Sequence, residues 1–153
     1  MDFVMPGLDY AARGGHAAMQ FRVLGPDTGG PGPADIRRLF RGQRLSAARR
    51  SRLVQSGRIL AMCGSRVVGL AAFERTEREL RVTELGMDEE SICRTDEIVG
   101  GLLDALELAC MASGARRLVL LPRASTANAV LRSRGYSAIA GSTSGTWLEK
   151  TFA

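Results

Sequence analysis

The sequence predicts an α+β (mixed α/β) domain, with a mostly antiparallel sheet of six to seven strands flanked by about four helices. A chain of 153 residues has the length of one domain and can bury roughly 70% of the surface that its unfolded form exposes. Its apolar periodicity alternates between helical and extended segments. One long helical pattern stands between two strand patterns, which is the connection that a parallel pair of strands requires.

The chain begins with a segment that has no sustained periodicity. We expect residues 1–19 to form a flexible N-terminal arm, because Gly14-Gly15 would interrupt a helix there. Residues 20–153 then form a single domain. It opens with a short strand at Gln20–Leu24, followed by a loop at Gly25–Pro33 that holds four glycines and three prolines.

Two helices are expected next. The first begins near Pro33 or Ala34 and places Ile36, Leu39 and Phe40 on one face. The second runs from Ser46, as its N-cap, to Gln55, and Gly57 ends it.

The period then changes from helical to extended. Three strands are predicted at Ile59–Cys63, Arg66–Glu74 and Leu80–Gly86. Gly64-Ser65 suits a two-residue hairpin turn. The three strands therefore form an antiparallel meander.

The last third of the chain supplies the parallel pair and the closing strands. A long helix is capped by Thr95 and ended by Gly114. The remaining predicted elements are a buried strand at Leu118–Leu121, a short helix at Thr126–Arg134 and two strands at Tyr136–Ala140 and Thr146–Phe152. The long helix makes the strands Leu80–Gly86 and Leu118–Leu121 parallel neighbours in the sheet.

Composition excludes several classes of protein. The longest apolar runs are far shorter than the ~20 residues of a membrane-spanning helix, and the N-terminus lacks the pattern of a secretory signal, so we expect a cytoplasmic protein. The cysteines (Cys63, Cys93 and Cys110) have no metal-binding spacing, and His16 is the only histidine. A histidine-dependent triad and a resident metal are therefore not expected.

Charge is distributed unevenly along the chain. Eight arginines and no acidic residue lie between Arg37 and Arg58, whereas eight acidic residues and Arg94 alone lie between Glu84 and Glu107. The arginine-rich segment could attract an anionic ligand or nucleic acid. Because it carries no interleaved aromatic residues for base stacking, a solvated helix face is the preferred interpretation and nucleic acid is not an expected partner.

The order of elements and four short strings resemble one family. These strings are 84–88 (ELGMD), 114–120 (GARRLVL), 134–136 (RGY) and 147–150 (WLEK). Together they resemble the GNAT superfamily of acyl-CoA-dependent N-acyltransferases over about residues 20–152. The resemblance implies the GNAT fold, acetyl-CoA or another acyl-CoA as co-substrate, and a primary amine as acceptor.

A GNAT-like cofactor loop is expected at Arg94–Gly101. The family signature, Q/R-x-x-G-x-G/A, presents backbone N–H groups at a helix N-terminus to a pyrophosphate. Arg94 matches its first position, but Glu97 and Val99 stand where small residues are usual, and Gly100 and Gly101 follow. The motif is therefore degenerate. The two glycines could serve if the register slips by a residue, whereas the branched side chain of Val99 would obstruct the phosphates if it pointed at them. The alternative is that Thr95-Asp96-Glu97 is simply a favourable helix start. The resemblance implies that the cofactor is held by Leu85, Met87, Arg94, Val99, Gly100 and Gly101.

The catalytic side chains also depart from the family pattern. Leu131 occupies the position of a frequent catalytic tyrosine, and Ala124 that of a frequent asparagine. Glu84, near the end of a strand that should open onto the substrate, is the candidate general base, because an ammonium must lose a proton before it attacks. A salt bridge is the alternative role for Glu84. A nucleophilic role for Cys93 is not expected without a histidine partner.

Two functions remain open at this stage. The first is acyl transfer from an acyl-CoA to a primary amine. The second is a catalytically inactive GNAT-like domain that acts as a binding, dimerisation or regulatory module, and a homodimer is compatible with either function.

Overall fold

The computed structural model of the chain describes residues 19–26, 29–91, 94–120, 125–139 and 147–152. These residues form seven strands and four helices. The strands are β1 (Met19–Leu24), β2 (Gly57–Cys63), β3 (Arg66–Arg75), β4 (Glu79–Met87), β5 (Arg117–Leu120), β6 (Ser137–Ala138) and β7 (Leu148–Thr151). The helices are α1 (Pro33–Leu39), α2 (Ala47–Gln55), α3 (Thr95–Ala112) and α4 (Ser125–Ser133).

The strands form one sheet in the order β1-β2-β3-β4-β5-β7-β6. Pairing is antiparallel except between β4 and β5, which are parallel and aligned from Glu79 opposite Arg117 to Val82 opposite Leu120. The predicted mixed sheet with a central parallel pair is thereby confirmed. The Gly64-Ser65 turn joins β2 to β3, and Gly64 has a φ of 62°, a conformation that glycine adopts without steric cost.

Helices cover both faces of the sheet. The apolar side of α3 packs in the larger core cluster with residues such as Phe21, Ile59 and Leu85. On the opposite face, Leu39 and Phe40 at the end of α1 and Leu53 of α2 form a second cluster with Leu60 and Leu70. Among the described helices, none is long and apolar enough to cross a bilayer.

A β-bulge separates the two halves of β4. Ala72 of β3 lies opposite Glu84, but the next residue, Phe73, lies opposite Val82, so Thr83 is the extra residue. The Thr83 hydroxyl donates a hydrogen bond of 3.3 Å to the Ala72 carbonyl. A bulge bends its strand and increases the local twist. This one lies directly after Val82, the last β4 residue that pairs with β5.

Some predicted element ends were wrong. Met19, assigned to the arm, is the first residue of β1 and is 1% exposed. Gly57 does not end α2 but begins β2, where a Cβ would come within 2.7 Å of the Phe73 ring. Close packing, not a helix-terminating turn, therefore requires glycine at this position.

The start of α3 also differs from the expectation. Arg94, not Thr95, is the N-cap, and its side chain makes no capping hydrogen bond. Thr95 is the first helical residue, one position beyond the predicted cap. The predictions that concern residues 1–18, Cys93, Leu121, Ala124, Ala140 and Thr146 fall outside the described residues.

Candidate cofactor and acyl-transfer site

The second half of β4 has one paired edge and one edge that faces away from β3. Leu85 and Met87 lie opposite Ala71 and Gly69 of β3. On the other side, the described pairing with β5 stops at Val82. Backbone groups of an extended strand that lack a neighbouring strand can hydrogen-bond an extended ligand. Among the described residues, β4 beyond Val82 therefore has the geometry of a strand-like docking edge.

The N-terminus of α3 lies beside the same end of β4. A Cβ on Gly69, which is paired with Met87, would come within 2.6 Å of Cγ2 of Ile98 in the first part of the helix. The Ile98 N–H donates to the Arg94 carbonyl over 3.0 Å. The amides that precede it, those of Thr95, Asp96 and Glu97, have no backbone acceptor within the helix. The Glu97 N–H donates to Oδ1 of Asp96 over 3.1 Å, so it is already engaged. An anion at this place would meet N–H donors and the positive end of the helix dipole.

Three of the proposed cofactor-binding residues lie further inside α3 than the sequence suggested. Val99, Gly100 and Gly101 follow the first turn, so their N–H groups donate to carbonyls within the helix. Val99 is 0% exposed and belongs to the larger core cluster. Its side chain therefore packs in the core instead of pointing at the phosphates, and the obstruction considered for Val99 does not arise.

Gly101 has a packing role that the sequence analysis did not identify. A Cβ at this position would come within 2.6 Å of two carbon atoms of the Phe21 ring, in β1. At Gly100, by contrast, the nearest atom to a Cβ is Nη1 of Arg134, 3.7 Å away. The two adjacent glycines therefore have different roles, and only Gly101 permits close contact between helix and sheet.

Glu84 is buried and held by arginines of α2. Its side chain is 0% exposed. Arg49 donates to its carboxylate from Nη2 over 2.7 Å and from Nε over 3.0 Å, and Nη1 of Arg52 lies 3.6 Å from Oε2. The sequence suggested either a base or a salt bridge at this position, and the salt bridge is present in the structure.

Asp88 forms a second buried carboxylate at the end of β4. It is 2% exposed and accepts hydrogen bonds from Nε of Arg38 over 3.0 Å and from Nη2 of Arg66 over 2.9 Å. Burial alone would raise the pKa of Asp88, but hydrogen bonds from Arg66 and the Glu90 amide, with the charges of Arg66 and Arg38, hold the pKa below its ordinary value. The carboxylate is therefore ionised at neutral pH and joins α1 to β3 and β4.

Arg94 matches the first position of the expected motif and is engaged locally. Its Nε and Nη2 donate to the two carboxylate oxygens of Asp96 over 3.2 Å and 3.1 Å. Both side chains are largely exposed, at 75% and 50%. An exposed pair of this kind is weak, so Arg94 can exchange Asp96 for another anion at little cost.

The position of the expected catalytic tyrosine and two other described side chains that could take part in catalysis are buried. Leu131 is 0% exposed in the core, and the neighbouring Tyr136 donates its hydroxyl to Glu107 over 3.2 Å. Burial first, and then the charge of Glu107, raises the pKa of Tyr136. Desolvation likewise raises the pKa of the Cys110 thiol, which disfavours the reactive thiolate. Among the described residues, no group of His, Cys, Asp and Glu could hold a metal ion.

Comparison with known proteins gives matches of structure only. No protein-family model matches the sequence, and no curated protein sequence is significantly similar to it. The structure is similar to the GNAT domain of S. lividans PAT, with a TM-score of 0.68 and 16% identity over 97% of this chain and 100% of that one. It is also similar to a GNAT family acetyltransferase from Elizabethkingia anophelis with acetyl-CoA bound, with a TM-score of 0.64 and 17% identity over 86% and 98% of the two chains.

A third match is partial. The PaiA N-acetyltransferase from Thermoplasma acidophilum, in complex with coenzyme A, superposes with a TM-score of 0.55 and 16% identity. The match covers 62% of this chain and 60% of that one, less than two thirds of its length. At this level of identity the comparisons establish architecture, and the chain has the GNAT N-acyltransferase fold.

Proposed function

We propose that this chain is an acyl-CoA-dependent N-acyltransferase that transfers an acetyl or other acyl group to a primary amine. Two neighbouring features carry the proposal. The half of β4 beyond the Thr83 bulge lies past the end of the described pairing with β5, and α3 begins beside it. An extended pantetheine amide and a pyrophosphate need these two features side by side. The solved structures of similar fold that contain coenzyme A or acetyl-CoA support the same assignment.

In this proposal the backbone of Leu85 and Met87 pairs with the pantetheine arm. The N–H groups of Thr95 and Asp96 and the side chain of Arg94 face the pyrophosphate, and the Glu97 N–H joins them once it leaves Oδ1 of Asp96. Val99 and Gly101 contribute indirectly, because their close packing in the core sets the position of the helix, whereas Gly100 makes no such close contact. The adjacent carboxylates of Asp96 and Glu97 oppose phosphate binding, by on the order of 1 kcal/mol for each like-charge contact at 4 Å in water.

The chemical step is direct attack of a neutral amine on the thioester carbonyl. The nitrogen forms the new bond to carbon and becomes cationic, the tetrahedral intermediate collapses, and the C–S bond breaks to release the CoA thiolate. The nitrogen gives up one proton, which ends on the thiolate directly or through water, so the products are a neutral amide and the CoA thiol. The ammonium form of the acceptor must first lose a proton. Glu84 stays the proposed base, and because its carboxylate is buried against Arg49, the proton reaches it through water or after the Arg49 side chain moves.

The proposal is tested by incubating the protein with acetyl-CoA and a panel of primary amines. We expect release of free CoA thiol and an acetylated product by mass spectrometry. Glu84→Gln, which keeps the shape of the side chain and removes its basicity, should lower kcat by about 10²-fold or more with little change in the KM for acetyl-CoA. Arg50→Gln, an exposed neighbour on α2, is the matched control and should keep wild-type kinetics.

The alternative is an inactive GNAT-like binding or regulatory module. The acidic first turn of α3 and the fully buried carboxylate of Glu84 favour this alternative. Binding of CoA without thiol release from any amine would support it and contradict the enzymatic proposal. A cytoplasmic location fits the free thiols of Cys63 and Cys110, and it remains a prediction, as does a homodimer.

A further inference from the structure

An open cavity of about 1030 Å³ lies between the C-terminal half of α2 and the turn that joins β3 to β4. Its lining includes Arg52 and Gln55 from α2 and Phe73, Glu74 and Glu77 from the strand and turn. Phe73 pairs with Val82, whereas the proposed cofactor edge reaches Met87. A rise of about 3.3 Å per residue separates Val82 from Leu85 by roughly 10 Å and from Met87 by roughly 16 Å along the strand. The cavity is therefore distinct from the cofactor edge.

Two arginines, Arg52 and Arg75, line this cavity. Because Nη2 of Arg75 donates to the Ser113 carbonyl over 2.8 Å, Arg52 is the candidate partner for a ligand carboxylate. It is 38% exposed, and its contact with a carboxylate is the 3.6 Å approach of Nη1 to Glu84, which is too long for a good hydrogen bond. The Glu84 oxygens are already engaged by Arg49 at 2.7 to 3.3 Å. Within the described part of the chain the guanidinium of Arg52 makes no hydrogen bond. Its N–H donors, which suit a bidentate carboxylate, therefore remain available.

Two acidic residues line the same cavity. Glu74 and Glu77 are exposed and, as far as the structure describes the chain, form no ion pair with Arg52 or any other basic residue. A polyanion would be repelled by these two carboxylates. A ligand with one carboxylate and one ammonium would instead meet a partner for each charge.

We propose that this cavity binds a small zwitterion, of the chemical class of a free α-amino acid. Arg52 receives the carboxylate, and Glu74 and Glu77 receive the ammonium. Pro26 and Phe73 supply apolar surface to a side chain. The site uses neither the backbone edge of β4 nor the first turn of α3. Arg52 also lies near Glu84, so Glu74 and Glu77 are the residues whose variants separate this site from acyl transfer.

The test uses three probes that differ by one group each. L-Leucine has both charges, L-leucinamide lacks the carboxylate, and 4-methylpentanoate lacks the ammonium. Amide chemical shifts of Ser51, Gln55 and Thr76 are followed by NMR as each probe is added to the full chain. We expect saturable binding of L-leucine, with each of the other probes at least about tenfold weaker, as loss of a charge-assisted contact predicts.

Matched variants locate the binding. Arg52→Gln should weaken the binding of L-leucine at least about tenfold. Arg50 is an exposed residue of the same helix outside the cavity lining, and the Arg50→Gln variant should bind L-leucine as the wild type does. Glu74→Gln with Glu77→Gln provides a second test that leaves the α2 contacts with Glu84 intact. The proposal is overturned by the absence of saturable shifts, by equal binding of 4-methylpentanoate, or by equal losses in the Arg52 and Arg50 variants.

Discussion

At the scale of single residues, the buried pair of Glu84 and Arg49 is the strongest electrostatic contact between α2 and β4. Arg49 also donates to the Arg44 carbonyl over 3.0 Å and to Oε1 of Gln43 over 2.8 Å. A buried carboxylate that loses its hydrogen-bonded partner still pays the free-energy cost of desolvation but no longer gains the attraction of the partner's charge. The pair therefore fixes the helix against the bulged half of the strand.

This pair predicts a large loss of stability when Arg49 alone is changed. Arg49→Gln should lower the free energy of unfolding by about 3 to 5 kcal/mol, measured by urea denaturation. Arg50→Gln, one residue along the helix and exposed, should change it by less than about 0.5 kcal/mol. Equal effects of the two substitutions would show that the buried pair does not hold α2 in place.

Asp88 predicts a specific dependence of stability on pH. Because its pKa in the folded protein lies below the ordinary value of 3.8, its contribution is complete above that value and is lost as the pH falls through the lowered pKa. Asp88→Asn should therefore be less stable by about 2 kcal/mol at neutral pH and should lose less stability than the wild type on acidification below about pH 4. Parallel acid profiles for the two proteins would refute the assignment.

The residue scale also shows what a sequence pattern cannot reveal. Glu84 and Arg49 are separated by 35 positions, and no local pattern indicates that the arginine reaches the carboxylate. The motif-like segment Arg94–Gly101 indicated that Val99 lies near the start of a helix. It did not indicate which way the Val99 side chain points, because that depends on the residue at which α3 begins. The bulge at Thr83 has no local signature either, since neither glycine nor proline marks it.

At the scale of elements, α3 combines a packing surface with a helix start beside β4. Its two glycines provide an internal comparison, because they share a helix and a composition but not an environment. Gly101 lies against the Phe21 ring, whereas a Cβ on Gly100 would meet only Nη1 of Arg134, at 3.7 Å, an ordinary van der Waals distance.

These environments predict opposite effects of the same substitution. Gly101→Ala should lower the free energy of unfolding by about 1 to 3 kcal/mol through overpacking, despite the better helix propensity of alanine. Gly100→Ala should raise it by up to about 1 kcal/mol. Thermal unfolding of both variants measures the contrast, and Phe21→Leu should partly rescue Gly101→Ala. Stabilisation by both substitutions would mean that helix and sheet are not in close contact at Gly101.

The first turn of α3 predicts how charge affects cofactor binding. Removing both carboxylates with Asp96→Asn and Glu97→Gln should tighten CoA binding by about thirtyfold if each like-charge contact costs on the order of 1 kcal/mol. This gain in affinity should shrink as salt is added. Glu77→Gln with Glu74→Gln removes the same charge near the β3–β4 turn, far from the first turn of α3, and should leave CoA binding unchanged. Val99→Gly should destabilise the protein without tightening CoA binding, because Val99 is buried in the core.

At the scale of the whole molecule, the sequence was sufficient to predict the order of elements and the parallel pair. The reason is physical: the change from helical to extended periodicity at the meander and the helix between β4 and β5 restrict the topology to few alternatives. Element ends were less well predicted, as at Gly57, where contact with the Phe73 ring outweighs the usual role of a glycine after a helix. The site depends on the register between β3, β4 and α3, which is a property of the assembled sheet.

The central claim is that the edge of β4 beyond the bulge and the first turn of α3 together bind an acyl-CoA. Isothermal titration with acetyl-CoA, accompanied by hydrogen exchange of the backbone amides, tests this claim most directly. The account predicts saturable binding and slower exchange at Leu85, Met87 and the Thr95–Glu97 turn. Absence of binding at millimolar acetyl-CoA, or binding that leaves exchange at these amides unchanged, would contradict it.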